Sequence, residues 1–151
     1  MKANDEWYTP PEIIHSLGEF DLDPATSVEA HRLNKSAKKI YTVGDNGLLA
    51  AWEGRVWLNP PYSNPLIQQF LVKMAEHNNG VALVFAKIEA KWFHDIVFRH
   101  AAAIKFLYAR IRFFKSDGTR GMQTRNGSML VAYGWENAEI LHRHTIKGKF
   151  L

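Results

Sequence analysis

The sequence predicts an α/β fold: a mostly parallel sheet covered by helices on both faces and closed by an antiparallel C-terminal hairpin. Three observations carry that expectation. Short apolar runs alternate with amphipathic segments of helical period along most of the chain. Residues 81–85 are an unbroken apolar run, as expected of a central strand buried on both faces. The last two strand-like runs, residues 111–114 and 128–133, flank a polar, glycine-containing stretch, which is the layout of a hairpin. With 151 residues, 46% of them hydrophobic and 13% aromatic, the chain can build one domain around a substantial core.

The elements follow in order. Thr9-Pro10-Pro11-Glu12 opens a helix, with Thr9 as its cap, proline in its first turn and Glu12 completing a capping box. Ile13, Ile14 and Leu17 give it an apolar stripe. Phe20-Asp21-Leu22-Asp23 reads as a short strand stopped by Pro24, residues 27–34 as a short helix, and residues 39–43 as a strand before the turn Gly44-Asp45-Asn46-Gly47. Residues 56–58 form a strand. Asn64 can cap a helix with Pro65 in its first position, and Leu66, Ile67, Phe70, Leu71 and Met74 recur at helical spacing until Asn78-Asn79-Gly80. Trp92, Phe93, Ile96 and Val97 mark another helix, and residues 104–108, 111–114 and 128–133 complete the strands.

Composition excludes several function classes. Without cysteine there is no disulfide framework and no thiolate metal site. The seven histidines lack ligand spacing, and His142 and His144 read as a solvated tail, so no metal is expected. The first six residues lack the apolar core of a signal peptide, and no window approaches the ~18 apolar residues of a membrane span, so a reducing, cytoplasmic setting without a membrane partner is expected. A net charge of +4 and a pI of about 9.4 mildly favour an anionic partner such as nucleic acid.

Asn59-Pro60-Pro61-Tyr62 is the most informative stretch. It follows the apolar run Val56-Trp57-Leu58 and precedes an amphipathic segment, which puts it at the carboxyl end of a strand, where open α/β sheets hold ligands. The Asn59 side-chain oxygen and a backbone carbonyl near Pro60 can each accept a proton of an exocyclic amine. Such bonds draw the nitrogen toward tetrahedral geometry and localise a lone pair otherwise delocalised into the ring. The prolines stiffen the loop, and Tyr62 can stack on a base, a contact worth ~1–3 kcal/mol. The bland alternative is a simple turn. The strand-before, helix-after context favours an amino-methyltransferase loop.

The chain resembles the small phage-type DNA N6-adenine methyltransferases, the phage Dam-like family, over roughly residues 5–134. The markers are Asp5-Glu6-Trp7-Tyr8-Thr9-Pro10-Pro11, Asp21-Leu22-Asp23-Pro24-Ala25, Asp45-Asn46-Gly47-Leu48, Trp92-Phe93-His94-Asp95 and Arg110-Ile111-Arg112-Phe113. The most specific is Trp52-Glu53-Gly54-Arg55-Val56-Trp57-Leu58-Asn59-Pro60-Pro61-Tyr62-Ser63. The resemblance implies a compact Rossmann-like methyltransferase fold, S-adenosyl-L-methionine as donor, adenine in DNA as acceptor, and a phage or prophage origin. It also implies that Thr9 and Pro10 touch the methionine end of the cofactor, that Tyr8 lines the cofactor pocket unless it packs as core, and that Asp21, Asp23, Pro24 and Ala25 start the cofactor-binding strand and turn. Asp23 can then meet the α-ammonium group, and Asp45 the ribose or adenine. Each has a structural alternative: Thr9 as a helix cap, Asp21 as a solvent-facing strand end, Asp45 as a turn residue. The usual glycine-rich loop is missing after Ala25, where Thr26-Ser27 follows. The short span from Asp23 to Asn59 leaves room for a compressed traverse with one strand–helix unit missing.

A duplex adenine must leave the stack before its amine can react. The polar stretch at residues 115–127, opening on Lys115, is the expected DNA contact, with Arg120 and Arg125 toward phosphate or guanine and Gln123 and Asn126 toward base edges; Arg110 and Arg112 extend the basic strip. A solvated hairpin tip is the alternative. Two other functions keep the fold: transfer to an RNA or protein amine, and a nucleic-acid-binding module that has lost its cofactor.

Overall fold

The computed structural model describes residues 7–115, 117–121 and 126–151. Its centre is a seven-stranded sheet of order β2-β1-β3-β4-β6-β5-β7. The strands are β1 Leu22–Asp23, β2 Lys39–Ile40, β3 Val56–Leu58, β4 Gly80–Phe85, β5 Ala103–Leu107, β6 Ser128–Tyr133 and β7 Gly148–Phe150. β2, β1, β3 and β4 are mutually parallel. β6 runs antiparallel between β4 and β5, and β7 antiparallel on the far side of β5.

Side-chain alternation explains why both faces are covered. Val56, Leu58, Ala82, Val84, Met129, Val131 and Tyr133 face one apolar core, shared with Ile67, Phe70, Leu71 and Met74 of α3 (Leu66–His77). Trp57, Val81, Leu83, Leu130 and Ala132 face the other, shared with Ile13 and Ile14 of α1 (Pro11–His15) and Leu141 of α4 (Trp135–Arg143). A period of two with apolar residues in both phases is the signature of a sheet buried on both sides. α2 (Val28–Asn34) links β1 to β2 and is capped by Ser27, whose Oγ accepts the Ala30 N–H at 3.1 Å. The expected helix around Trp92 is present, with a π-helical stretch at Phe93–Phe98.

Four local expectations are corrected. Residues 111–114 form no strand beside β6; β6 pairs instead with β4 and β5, inside the sheet. Phe114 makes only isolated bridges, to Tyr8 and Arg120. An all-apolar strand gains more from burial between two neighbours than from a hairpin at an edge. Thr9 does not cap α1, where Pro10 stands at the N-cap without a side-chain bond, because the Thr9 hydroxyl is held elsewhere. Glu12 pairs with Arg120 rather than closing a capping box. Asn64 likewise makes no cap, and Pro65 takes that position for α3. Helix α4 and edge strand β7 carry no strong local pattern and emerge only in the folded chain.

The edge of the sheet where the parallel strands begin is tied by Arg55. Its Nε donates to Asn137 Oδ1 at 2.7 Å, its Nη1 donates to the Glu19 carbonyl at 3.0 Å, and its guanidinium lies 4.1 Å from the Phe20 ring centroid. Asn137 also donates to Asn79 Oδ1 and to the Tyr133 carbonyl, so one planar fork joins β3 to α4. A lysine has neither the fork nor the flat face. Arg55→Lys is expected to cost about 1–2 kcal/mol in urea-induced unfolding; an unchanged midpoint would contradict this role.

Candidate active site

The strand order sets the site. From β1 the chain passes through α2 to β2 on one side; from β3 it passes through α3 to β4 on the other. β1 and β3 are neighbours, so the chain diverges between them, and the crevice beyond their carboxyl ends is the place where open α/β sheets bind ligands. Asp23 ends β1 and Asn59 follows β3. Tyr8, Thr9 and Pro10, all buried, cross the same edge.

Three residues distant in sequence lock together there. Asn59 Nδ2 donates to Thr9 Oγ1 at 3.1 Å and to the Trp7 carbonyl at 3.4 Å. Asn34 Nδ2 donates to the Thr9 carbonyl at 3.1 Å. A backbone carbonyl can only accept, so the Asn59 amide is oriented with its NH₂ toward the N-terminal segment. Its Oδ1 has no partner among the described residues. Pro60 and Pro61 are buried. Tyr62 is fixed as well: its hydroxyl accepts the Phe85 N–H at 2.9 Å, and its ring stacks on Phe85 at 4.5 Å with 20° between planes. Burial pushes the Tyr62 phenol well above its ordinary pKa, so it stays protonated. Phe85 covers one face of the ring, and the ring also packs against the apolar core that contains Leu58, Phe70 and Val84.

Two hollows meet at Ala25 and Thr26. The first is polar, lined by Tyr8, Thr9, Asp23, Asn34 and Asn59. The second is apolar, about 130 Å³, and lined by Pro24, Val43, Leu48, Pro61, Leu66 and Phe70. Asp23 is only 3% exposed. Its carboxylate accepts from the Ala25 N–H at 3.2 Å and from the Ser36 hydroxyl, and burial pushes its pKa up to about 6 despite both bonds. Asn34 Oδ1 is buried in the same region without a partner.

No glycine follows Ala25, but Gly47 of the facing loop presses closely against the backbone of Pro24. A Cβ there would lie 2.0 Å from the Pro24 carbonyl oxygen. The Gly47 carbonyl accepts from Trp52 Nε1 at 2.7 Å, and Lys73 on α3 donates to the Leu48 and Ala50 carbonyls, so this loop is pinned over the apolar hollow.

Other sequence-selected residues are placed differently. Asp21 stands at the amino end of β1, away from the crevice, and accepts the Arg55 N–H at 2.8 Å. Asp45 lies in the loop bounding the apolar hollow without lining it, and its Oδ2 accepts from Thr42 N and Oγ1 at 2.8 and 3.1 Å. His144 is half-buried rather than fully solvated, with Nδ1 3.0 Å from the Lys105 ammonium. Arg110, Arg112, Lys115 and Arg120 are exposed near the carboxyl end of β5. Arg112 Nε donates to the Gly121 carbonyl, and Arg120 pairs with Glu12 at 3.0 Å while lying over the Phe114 ring. Such an exposed pair is worth at most about 1 kcal/mol and is easily exchanged for phosphate. Gln123 and Arg125 lie outside the described residues, as do Asp5 and Glu6 of the N-terminal motif. Among the described residues no three His, Cys, Asp or Glu side chains group as a metal site would, and no helix is long and apolar enough to cross a membrane. Asn34 and Ser36 were not selected from sequence; each acts on a partner far along the chain, where no local pattern marks it.

A family model described as DNA N-6-adenine-methyltransferase (Dam) matches residues 1–145. The chain is similar to a DNA N-6-adenine-methyltransferase of Haemophilus phage HP1 (strain HP1c1), 32% identical over 162 residues that cover 96% of this chain and 91% of that protein. It is also similar to a DNA N-6-adenine-methyltransferase of Escherichia phage T1, 39% identical over 102 residues that cover 62% of this chain and 41% of that protein. No solved structure matches the chain.

Two outcomes follow from the geometry. Because the folded pKa of Asp23 lies above its ordinary 3.8, folding favours the protonated acid; that stabilisation is full below about pH 4 and is lost as pH rises through about 6. Asp23→Asn is therefore expected to be more stable than the native protein at pH 8, by up to about 3 kcal/mol, with the gap closing at pH 4. Parallel melting curves at the two pH values check it, and a gap independent of pH would contradict it. Gly47→Ala is expected to lose roughly 2 kcal/mol or more, since backbone must move to admit the methyl; native-like urea unfolding would contradict that.

Proposed function

The chain belongs to the DNA N-6-adenine-methyltransferase (Dam) family and is an adenine-specific DNA methyltransferase, and from that premise we propose that Asn59, Pro60, Pro61 and Tyr62 form the pocket that receives the target base. The observation that carries this reading is the locked Asn59 amide at the divergence of β1 and β3. Its orientation leaves Oδ1 as a preorganised acceptor for one N6 proton, and the carbonyl of the stiff Pro60 region serves as the second. Acceptors fixed before the reaction cost no reorganisation when charge develops on the nitrogen. Asn59 is not a Brønsted base, so it polarises the amine without deprotonating it; the surplus proton leaves to solvent once the new N–C bond has formed. Tyr62, held rigidly on Phe85, is the aromatic residue assigned to meet the base.

The paired hollows fit S-adenosyl-L-methionine. Its amino-acid end needs a carboxylate and polar acceptors, which Asp23 and the unpartnered Asn34 Oδ1 provide, beside Tyr8, Thr9 and Pro10. Its adenosyl end needs an apolar slot, which Pro24, Val43, Leu48, Pro61, Leu66 and Phe70 provide. When bound, the cofactor supplies an electrophilic methyl on a sulfonium sulfur. Occupation by an ammonium favours ionised Asp23, so binding is expected to weaken below about pH 6.

Strand order and double-sided burial support a compact Rossmann-like arrangement. The acceptor is proposed to be double-stranded DNA, approached over Arg110, Arg112, Lys115 and Arg120. A phage or prophage origin and action in the cytoplasm of a bacterial host accord with the phage relatives. Family membership sets aside the reading as a binding module without catalysis, and the DNA acceptor replaces RNA and protein amines.

The test is methylation of a random plasmid library with labelled S-adenosyl-L-methionine, followed by mapping of modified adenines. Native protein is expected to mark N6 of adenine at a defined short sequence. Asn59→Ala is expected to fold and to lose roughly 10²–10³-fold or more in kcat. Undiminished transfer by Asn59→Ala would contradict the assigned pocket.

A further inference from the structure

We infer that Ile88, on the loop leaving β4, is the wedge that enters the base stack when the target adenine is turned out, and that His94 is the positioning residue that holds it. The inference rests on the proposed reading that a base of a duplex enters the Asn59 cradle. A base leaving a duplex opens a gap that must be filled, and apolar side chains such as Ile are used for that purpose.

Ile88 is 60% exposed, although aliphatic and uncharged. It stands three residues beyond Phe85, the residue that ends β4 and whose N–H anchors Tyr62 of the cradle. β4 is the neighbour of β3, so the 86–90 loop opens beside the Asn59 loop on the same edge of the sheet. The loop is built to stand still. Ala86 N–H donates to the Gly127 carbonyl at 2.9 Å, Lys87 N–H to the Phe85 carbonyl at 2.9 Å, and Ala90 N–H to the Lys87 carbonyl at 3.0 Å. His94 Nε2 donates to the Ile88 carbonyl at 2.7 Å; a carbonyl only accepts, so that nitrogen carries the proton.

The π-helical stretch explains how His94 reaches this position. A π turn brings residues i and i+5 into register. Phe93 and Phe98 accordingly meet edge to face at 4.5 Å, and the His94 ring packs against both, at 5.8 and 5.5 Å. Lys87 and Glu89 flank Ile88 on the loop, and Lys91 beyond them is paired with Asp95.

Other exposed apolar residues fit the task less well. Val43 lines the apolar hollow and Leu49 lies in the loop over it. Tyr108 is at the mouth of β5, three strand spacings from β3, roughly 14 Å away. Trp135 begins α4 at the opposite edge, where antiparallel β6 ends.

The test uses the full chain and a duplex carrying the mapped site, with 2-aminopurine at the target for fluorescence and adenine there for rates. A second duplex is identical but has an abasic site opposite the target, so that unstacking costs less. Native protein is expected to brighten 2-aminopurine and methylate both duplexes. Ile88→Ala is expected to lose the brightening and roughly 10- to 100-fold in kcat/KM on the paired duplex, yet stay within a few-fold of native on the abasic one. Ile88→Leu restores both readings. His94→Ala shows a smaller loss of the same pattern, rescued by His94→Gln, and Trp135→Ala changes neither reading. Native-like behaviour of Ile88→Ala on the paired duplex, or equal losses on both duplexes, would overturn the wedge while leaving the cradle intact. Methylation of both duplexes by native protein without any brightening would overturn the flipping premise itself.

Discussion

The proposed site depends above all on the direction in which one carboxamide points. An asparagine side chain is chemically two-faced, donor on one side and acceptor on the other, and an amine cradle needs only the acceptor. The Thr9 hydroxyl and the Trp7 carbonyl take the donor side of Asn59 and so decide the matter before any substrate arrives. Much else exists to keep that arrangement in place. Asn34 holds the Thr9 carbonyl, the Tyr8–Phe114 bridge fastens the N-terminal segment to the chain after β5, and two buried prolines stiffen the loop beyond Asn59. The N-terminal segment is thus a wall of the site rather than a mere lead-in to α1.

The site holds polar groups that a core built only for stability would avoid. Asp23 is buried with a raised pKa, Asn34 Oδ1 and Ser128 Oγ are buried without partners, and the Tyr62 phenol is sealed against Phe85. Unpaired buried polar groups cost about 1–3 kcal/mol each. Asp23 and Asn34 line the crevice, whereas Arg55 Nη2, Tyr133 Oη and His144 Nε2 are buried without partners among the described residues elsewhere, so such costs are not confined to the site. The buried Lys105–His144 contact beneath β7 is a further such cost, and it lies outside the crevice.

The parts legible in the sequence are those fixed by local periodicity. The run Val56-Trp57-Leu58, the stripe on α3 and the apolar strand β4 each declare themselves within a few residues. The Asn59 loop was legible because its strand-before, helix-after context is local too. What failed depends on partners far along the chain. β6 reads as half of a hairpin, yet its backbone groups pair with β4 and β5. Thr9 satisfies the local rule for a cap, but Asn59, fifty residues later, claims its hydroxyl. Glu12 fits a capping box and instead meets Arg120. Asp21 and Asp23 both read as candidates at the cofactor-binding strand, and strand direction sends Asp21 to the opposite edge, as its solvent-facing alternative allowed. Gly47 looked like turn chemistry alone, and only the folded chain shows it pressed against Pro24.

Thr9 offers the most direct test of whether the carboxamide's orientation matters. Thr9→Val keeps the shape and removes the acceptor, whereas Thr9→Ser keeps the acceptor and removes a methyl. Single-turnover methyl transfer, at saturating DNA and cofactor, is predicted to fall about tenfold or more in Thr9→Val, equivalent to about 1.4 kcal/mol, and to stay within a few-fold of native in Thr9→Ser. A Thr9→Val protein that transfers methyl groups as fast as the native one would show that Asn59 needs no external lock.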